Sequence, residues 1–164
     1  MDINKVVIID DFLTDTECKE WITHHKTLEN EAQTLDESTD PPTIVEILHI
    51  NPTQDEKLKK HFDQLYTKII ASDIVPKSLK LSYAQVVKWN NQTRLAAHKD
   101  IYGSKFAIVI YLNDNYQGGK TFLGKTKITP KKGRMVGFHG SRVEHGVTKI
   151  TGTRYTIPIW YKER

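Results

Sequence analysis

The sequence predicts a mainly β fold with flanking helices, in which a double-stranded β-helix (jelly-roll) core packs against N-terminal α-helices. Two observations carry this prediction. Residues 1–77 contain two amphipathic helical patterns, whereas residues 78–164 contain short apolar or alternating runs separated by turns. Early helices followed by many short strands are typical of an antiparallel barrel supported by helices.

The length and composition favour one globular domain. The chain has 164 residues, of which 38% are hydrophobic and 27% are charged, which is ordinary usage for a globular protein with a buried core. We therefore expect one domain over residues 1–164, with a helical support region (1–77) and a catalytic barrel core (78–164). The sequence shows no run of 18 apolar residues and no basic-then-apolar leader, so we expect a cytoplasmic protein without membrane association.

The first helix begins at a capping box, residues 14–17 (TDTE), in which a threonine and a glutamate satisfy each other's backbone N–H groups. Its apolar stripe has helical spacing: Cys18, Trp21, Ile22, His25 and Leu28. His24 and His25 are therefore predicted to lie on a helix face and not to bind a ligand. The single cysteine, Cys18, is predicted to be a buried thiol.

The next segment, residues 29–42, is acidic, rich in Asp, Glu, Thr and Pro, and free of Lys and Arg. This composition predicts an irregular segment. Two alternatives remain open for it: a mobile loop that closes over the site, or a disordered segment.

A strand and a second helix are expected to follow. Residues 43–50 have β-like composition, and residues 53–56 (TQDE) form a second capping box. His61 lies within this helix and is no metal candidate. The positions predicted to face inward are Leu58, Phe62, Leu65, Tyr66, Ile69 and Ile70.

The periodicity changes to that of strands after Pro76. Alternate residues between 79 and 89 are predicted to share one face: Leu79, Leu81, Tyr83, Gln85, Val87 and Trp89. A polar turn at 90–94 leads to a short strand with His98 and Asp100, residues 106–112 form a buried strand, and residues 113–119 form a turn.

His98, Asp100, His145 and Arg154 carry the functional prediction. Side chains at i and i+2 of a strand leave the same face, so His98 and Asp100 can bind one metal ion while Lys99 points away. His145 must come from a distant strand. Two imidazoles and one carboxylate leave open positions on an iron ion, as oxygen-activating Fe(II) enzymes require. His139 precedes a loop-like Gly-Ser-Arg stretch, so His145 is the predicted third ligand.

Several further motifs stand in a fixed order around these residues. They are residues 8–21 (IIDDFLTDTECKEW), 85–89 (QVVKW), 111–113 (YLN), 118–122 (GGKTF), 145–147 (HGV) and 152–160 (GTRYTIPIW). With these motifs the chain resembles the prolyl 4-hydroxylase-like branch of the 2-oxoglutarate- and Fe(II)-dependent dioxygenases over most of its length.

The resemblance implies roles for individual residues. His98, Asp100 and His145 would be the iron ligands, and Arg154 would pair with the far carboxylate of 2-oxoglutarate. Tyr111 would add a hydrogen bond to that carboxylate, and Trp89 stands near the cosubstrate where most members carry a tyrosine. The implied cofactors are Fe(II), 2-oxoglutarate and O₂, with ascorbate as the reductant.

The implied activity is hydroxylation of an unactivated C–H bond with release of succinate and CO₂. A prolyl 4-hydroxylase acting on a peptide or protein proline, similar to procollagen-proline 4-dioxygenase, is the leading hypothesis. Arg154 replaces the lysine of collagen-type enzymes, which favours the oxygen-sensing and bacterial prolyl hydroxylases. The alternatives are the same chemistry on a free amino acid, a small metabolite or a nucleic-acid base, a zinc hydrolase, and a non-catalytic metal-binding barrel.

The substrate and partners are the least specified by sequence. Arg94 and Tyr102 flank the ligand-bearing strand and are candidates for touching a peptide. Residues 1–77 carry a net charge of −8 and residues 78–164 one of +12, which would draw an anionic substrate toward the second half. Charge runs near turns usually form a solvated face, so nucleic acid is not expected as a partner. A monomer is favoured.

Overall fold

A computed structural model describes residues 5–37, 42–50, 56–101 and 103–164 of the chain. The strands and helices of these residues follow in chain order. They are β1 (Val7–Ile9), α1 (Asp15–Thr27), a 3₁₀ turn (Glu29–Glu31), β2 (Gln33–Glu37), β3 (Thr43–His49), α2 (Glu56–Ser72), β4 (Leu79–Trp89), β5 (Leu95–His98), β6 (Ser104–Tyr111), β7 (Gln117–Gly118), β8 (Thr121–Leu123), β9 (Thr126–Ile128), β10 (Met135–Phe138), β11 (His145–Val147), β12 (Ile150–Thr151) and β13 (Arg154–Glu163).

Two antiparallel sheets form the β core. The major sheet has the order β1-β10-β6-β13-β4-β3-β2, and the minor sheet has the order β5-β11-β8-β9. Apolar side chains of both sheets pack together between them, among them Tyr111 and Phe138 from the major sheet and Leu123 and Ile128 from the minor sheet. The predicted jelly-roll class is confirmed, with the two sheets facing each other without joining into a closed barrel.

The two helices cover the other face of the major sheet. The predicted capping box opens α1, since the backbone N–H of Glu17 donates to the Thr14 hydroxyl and that of Thr14 donates to the Glu17 carboxylate. As predicted, Cys18, Trp21 and His25 are buried. Within the described part of the chain, no helix has the length and apolar character needed to span a membrane.

Helix α2 differs from the prediction in the width of its buried stripe. Phe62, Leu65 and Ile69 are buried, but Tyr66 is 38% exposed and Ile70 is 61% exposed. Each exposed residue follows a buried one and is turned about 100° around the helix axis, so the contact with the sheet is narrower than the sequence suggests. Residues 53–55 of the second predicted capping box, and the side chain of Leu58, lie outside what the structure describes.

The alternation in β4 predicts that Leu79, Leu81, Tyr83, Gln85, Val87 and Trp89 share one face of the strand. In the structure they do not all share it. Tyr83 pairs with Trp160, whereas Leu81 pairs with the next residue, Tyr161, so the register shifts at Ser82. The extra residue of such a bulge exchanges the two faces of a strand. Leu79 and Leu81 consequently pack toward the helices, whereas Gln85, Val87 and Trp89 face the space between the sheets.

The acidic segment 29–42 is more regular than predicted. It contains the 3₁₀ turn Glu29–Glu31 and strand Gln33–Glu37, which pairs with β3 at the edge of the major sheet. All five residues of β2 are exposed, so their polar composition is compatible with an edge strand that has water on both faces. Residues 38–41 lie outside the described residues.

Candidate active site

A cavity of about 250 Å³ lies between the two sheets. Strands β3, β4 and β13 form one wall, and β5 and β11 of the minor sheet form the opposite one. The wall is largely apolar, and the predicted metal ligands and Arg154 all line it. The cavity therefore unites residues that are far apart in the sequence.

The three predicted metal ligands meet because β5 and β11 are neighbours. His98, the last residue of β5, is paired directly with His145, the first residue of β11. Their ring centroids are 4.4 Å apart, and Asp100 follows two residues after His98. One nitrogen or oxygen atom from each of the three side chains lies within 4.8 Å of the others, so a single ion can contact all three.

Backbone carbonyls orient both imidazoles. Nδ1 of His98 lies 3.0 Å from the Ala96 carbonyl oxygen, and Nδ1 of His145 lies 2.7 Å from that of Val143. Because a carbonyl oxygen only accepts, each Nδ1 carries its proton and each Nε2 faces Asp100 Oδ1, at 3.7 Å for His98 and 3.2 Å for His145. The space between these atoms must hold a proton or a metal cation.

The Asp100 carboxylate has the features of a metal ligand. Burial raises its pKa, but hydrogen bonds from His145 and His98 outweigh burial and hold that pKa well below its ordinary value. In the same contact, the Asp100 carboxylate raises the pKa of His98. Oδ2 of Asp100 is buried without a hydrogen-bond partner among the described residues. A buried orphan carboxylate oxygen beside two imidazoles fits a divalent cation such as Fe(II).

Gly140 makes room for this carboxylate, although the sequence analysis did not single it out. Its carbonyl accepts a hydrogen bond from the Asp100 backbone N–H at 2.8 Å. A Cβ atom at position 140 would lie 1.9 Å from Asp100 Oδ2, so any side chain there would displace the carboxylate. In the sequence, a glycine directly after His139 is the one sign that position 140 must lack a side chain.

Arg154 occupies another part of the cavity wall and is 1% exposed. Its guanidinium carbon lies 4.8 Å from the ring centroid of Trp89 and 5.4 Å from that of Tyr111. Nη2 donates to the Thr121 hydroxyl at 3.2 Å, whereas Nε has no hydrogen-bond partner among the residues that the structure describes. No carboxylate of the described residues forms an ion pair with it. A buried cation without a counter-ion that lines a cavity is a site for an anionic ligand.

Hydrogen bonds among neighbouring side chains complete the Arg154 pocket. The hydroxyls of Tyr111 and Thr121 bond to each other, and the Thr121 backbone N–H donates to the Tyr111 hydroxyl at 3.3 Å. The indole N–H of Trp89 donates to the Thr156 hydroxyl at 3.3 Å, so Trp89 presents its ring face to Arg154. Thr121 was not predicted as a site residue, although the Gly-Gly-x-Thr motif contains it.

The comparisons with known proteins agree with this geometry. The family model of the 2OG-Fe(II) oxygenase superfamily matches residues 46–162. The chain belongs to this superfamily. Membership implies the use of Fe(II), 2-oxoglutarate and O₂, as the sequence resemblance predicted. No curated protein sequence matches the chain.

Solved structures of three prolyl hydroxylases share the fold. The viral collagen prolyl hydroxylase of Paramecium bursaria Chlorella virus-1 is 19% identical, with a TM-score of 0.70 over 97% of this chain and 96% of the other. The Trichoplax adhaerens enzyme, solved with a hypoxia inducible factor peptide, is 18% identical, with a TM-score of 0.77 over 98% and 84%. The Pseudomonas putida prolyl-4-hydroxylase is 19% identical, with a TM-score of 0.73 over 98% and 94%.

His139, the histidine that was set aside in favour of His145, and Arg94, a predicted substrate contact, both lie outside the set of described residues that line the cavity. His139 is 3% exposed, its Nδ1 lies 3.2 Å from the Ser141 hydroxyl, and it is not part of the His-His-Asp cluster. The backbone of Arg94 contacts residues 42 and 43, and Arg94 is not among the described residues that line the cavity. Tyr102 lies outside the described residues.

Proposed function

We propose that the chain is a 2-oxoglutarate- and Fe(II)-dependent hydroxylase in which His98, Asp100 and His145 hold the iron and Arg154 binds the cosubstrate. One observation carries this proposal: a buried, unpartnered carboxylate oxygen and a buried, unpaired guanidinium line the same cavity. A metal ion satisfies the first group, and a carboxylate satisfies the second. A dicarboxylate whose keto acid end binds metal matches both.

The residues of the chain divide the work of binding. When bound, Fe(II) and 2-oxoglutarate would supply the oxidising chemistry, with O₂ as the oxidant: one oxygen atom of O₂ would enter succinate as CO₂ leaves, and the other would enter a C–H bond of the substrate. Asp100 contributes the negative charge of the iron site, and the backbone bonds of the two histidines hold their Nε2 atoms toward it. Arg154 offers its planar guanidinium to the distal carboxylate, with Tyr111, Thr121 and Trp89 around it.

We propose a proline residue of a peptide or protein as the substrate, hydroxylated at C4. Trp160 lines the cavity and stacks on Tyr83, with ring centroids 4.4 Å apart and an angle of 23° between the rings. The faces of aromatic rings suit an apolar ring such as that of proline. The similarity to prolyl hydroxylases, one of them solved with a peptide, supports this choice. Arg94 and Tyr102 stay candidates for peptide contacts.

The test is an assay for succinate and for the oxidised product together. The protein is incubated with Fe(II), ascorbate, 2-oxoglutarate and a library of proline-containing peptides, and mass spectrometry detects addition of one oxygen atom. We expect hydroxyproline and succinate in equal amounts, with ascorbate sustaining turnover.

Two further arms test the alternatives. Free amino acids and methylated DNA replace the peptides, the latter because residues 78–164 carry a net charge of +12. Coupled turnover with either one, and not with peptides, would refute the prolyl assignment while preserving the reaction class. Metal binding without succinate formation would instead indicate a non-catalytic barrel.

A further inference from the structure

Tyr116 and Arg154 lie close to a common glycine, Gly119, and Tyr116 also lies close to Gly152. A Cβ atom at Gly119 would lie 2.7 Å from Cε2 of the Tyr116 ring and 3.3 Å from Cδ of Arg154, and one at Gly152 would lie 2.8 Å from Cβ of Tyr116. Both glycines also have positive φ angles, +61° and +117°, which side-chain-bearing residues rarely adopt. The ring of Tyr116 and the stem of Arg154 therefore both pack against the backbone at Gly119.

The polar atoms of this pair are incompletely bonded. The Tyr116 hydroxyl and Nε of Arg154 are both buried without a hydrogen-bond partner among the described residues. Burial strongly raises the pKa of Tyr116, and the charge of Arg154 together with its close approach to the phenol oxygen opposes that rise, so the phenol stays neutral. This approach does not meet the geometry of a hydrogen bond. The two orphan groups are complementary because a phenol oxygen accepts and Nε–H donates. Buried polar groups left unbonded are costly.

We propose that Tyr116 is a positioning residue for cosubstrate binding. Its ring holds the stem of Arg154, and its hydroxyl accepts a hydrogen bond from Nε–H once a distal carboxylate draws the guanidinium into place. This bond leaves the terminal nitrogens for the carboxylate and for Thr121. The inference rests on the proposed function, since it assigns Tyr116 to the cosubstrate end of that site.

The experiment compares two ligands on the Mn(II)-loaded protein by isothermal titration calorimetry. 2-Oxoglutarate has the distal carboxylate, whereas 2-oxobutyrate has the same keto acid end without it. The variant is Tyr116→Phe, which removes only the hydroxyl. The matched control is Tyr161→Phe, because Tyr161 is also buried with an unpartnered hydroxyl but packs in the core on the helix side of the major sheet.

We expect Tyr116→Phe to raise the Kd for 2-oxoglutarate roughly three- to tenfold, the effect of one buried hydrogen bond. The Kd values for 2-oxobutyrate and Mn(II) should stay at the wild-type values, and Tyr161→Phe should change none of the three. In Gly119→Ala the added methyl group collides with both Tyr116 and Arg154. This variant should also raise the Kd for 2-oxoglutarate and leave the Kd for 2-oxobutyrate unchanged.

The ratio of the two keto acid Kd values decides the outcome, because a loss of folded protein affects both ligands equally. An unchanged ratio in Tyr116→Phe would overturn the positioning role, whether both Kd values rise or neither does. If the wild-type protein binds Mn(II) but not 2-oxoglutarate, the proposed function fails first and this inference fails with it.

Discussion

The two faces of the major sheet have different chemistry although the same strands build both. Along β13, Tyr155, Ile157, Ile159 and Tyr161 point toward the helices, whereas the residues between them face the cavity: Arg154, Thr156, Pro158 and Trp160. The helix face is a mainly apolar core in which Ile157 is 0% exposed, with the hydroxyl of Tyr161 among its few polar groups. The cavity face contains a buried guanidinium and lies opposite a buried carboxylate.

This difference separates stability from chemistry within one strand. Apolar burial on the helix side stabilises the sheet, so the cavity side can tolerate Asp100 Oδ2 and Arg154 Nε, which have no hydrogen-bond partners in the described part of the chain. Buried unpartnered groups oppose folding, but those that line a cavity can bind a ligand. Substitutions on the two faces should therefore affect different measurements.

The largest expected effect concerns two buried histidines, His145 at 8% exposure and His139 at 3%. His145→Ala removes a predicted metal ligand and should abolish Mn(II) binding and succinate formation. His139→Ala should retain both, because its ring lies outside the His-His-Asp cluster. Metal titration monitored by electron paramagnetic resonance measures the first effect, and succinate release measures the second. Loss of metal binding in His139→Ala alone would show that the ligand assignment is wrong.

On the helix face, Ile157→Ala should lower the free energy of unfolding by about 2–5 kcal/mol, because it leaves a cavity in a packed core. The control is Val109→Ala. Val109 lies on the cavity face of β6 and is only half-buried. This variant should cost less than Ile157→Ala. Urea titration of the metal-free proteins gives both values. Equal losses of unfolding free energy would mean that the helix face and the cavity face contribute alike to stability, and would contradict the proposed difference between them.

Much of this division could be predicted from local sequence patterns. The His-x-Asp spacing predicts two ligands close together, although Asp100 lies two residues past the end of β5 and not on the strand as predicted, and the capping box and apolar stripe of α1 identify a helix and its buried side. Other features depend on contacts between distant segments. The bulge at Ser82 reverses a face because of the pairing with β13, and Gly140 matters only because Asp100 packs against it.

The composition of the acidic segment was equally uninformative about its structure. Strand β2 exists because its backbone pairs with β3, a contact to which its exposed side chains contribute little. Thr121 and Tyr116 belong to the Arg154 pocket for a similar reason, since β8 and the loop before β7 meet β13 only in the folded chain. Local periodicity contains no information about such pairings.

On the cavity face, Arg154→Ala should raise the Kd for 2-oxoglutarate by roughly 10- to 150-fold, since it removes a charge-assisted hydrogen bond worth about 1.5–3 kcal/mol. Mn(II) affinity should stay unchanged because Arg154 does not contact the triad. The matched control is Arg134→Ala, which breaks an ion pair of 2.6 Å with Asp10 at the β1–β10 edge of the major sheet and should leave the Kd unaffected. A wild-type Kd in Arg154→Ala would show that Arg154 does not bind the distal carboxylate.

The smallest expected effect lies in the helix layer, at the carboxylate of Glu17. Burial raises the pKa of Glu17, but hydrogen bonds from Lys68 and Thr14 outweigh burial and lower it below 4.5. A lowered pKa in the folded state means that ionised Glu17 stabilises the fold above pH 4.5, and that this contribution is lost as the pH falls through the folded-state pKa. Glu17→Gln should therefore cost roughly 0.2–1 kcal/mol at pH 7 and nothing at pH 2. Urea titrations at both pH values measure the difference, with Glu31→Gln as an exposed control.

Because Glu17 lies on the helix side of the sheet, its substitution should leave the Kd for 2-oxoglutarate unchanged. An altered Kd would show that the helix layer and the cavity are coupled.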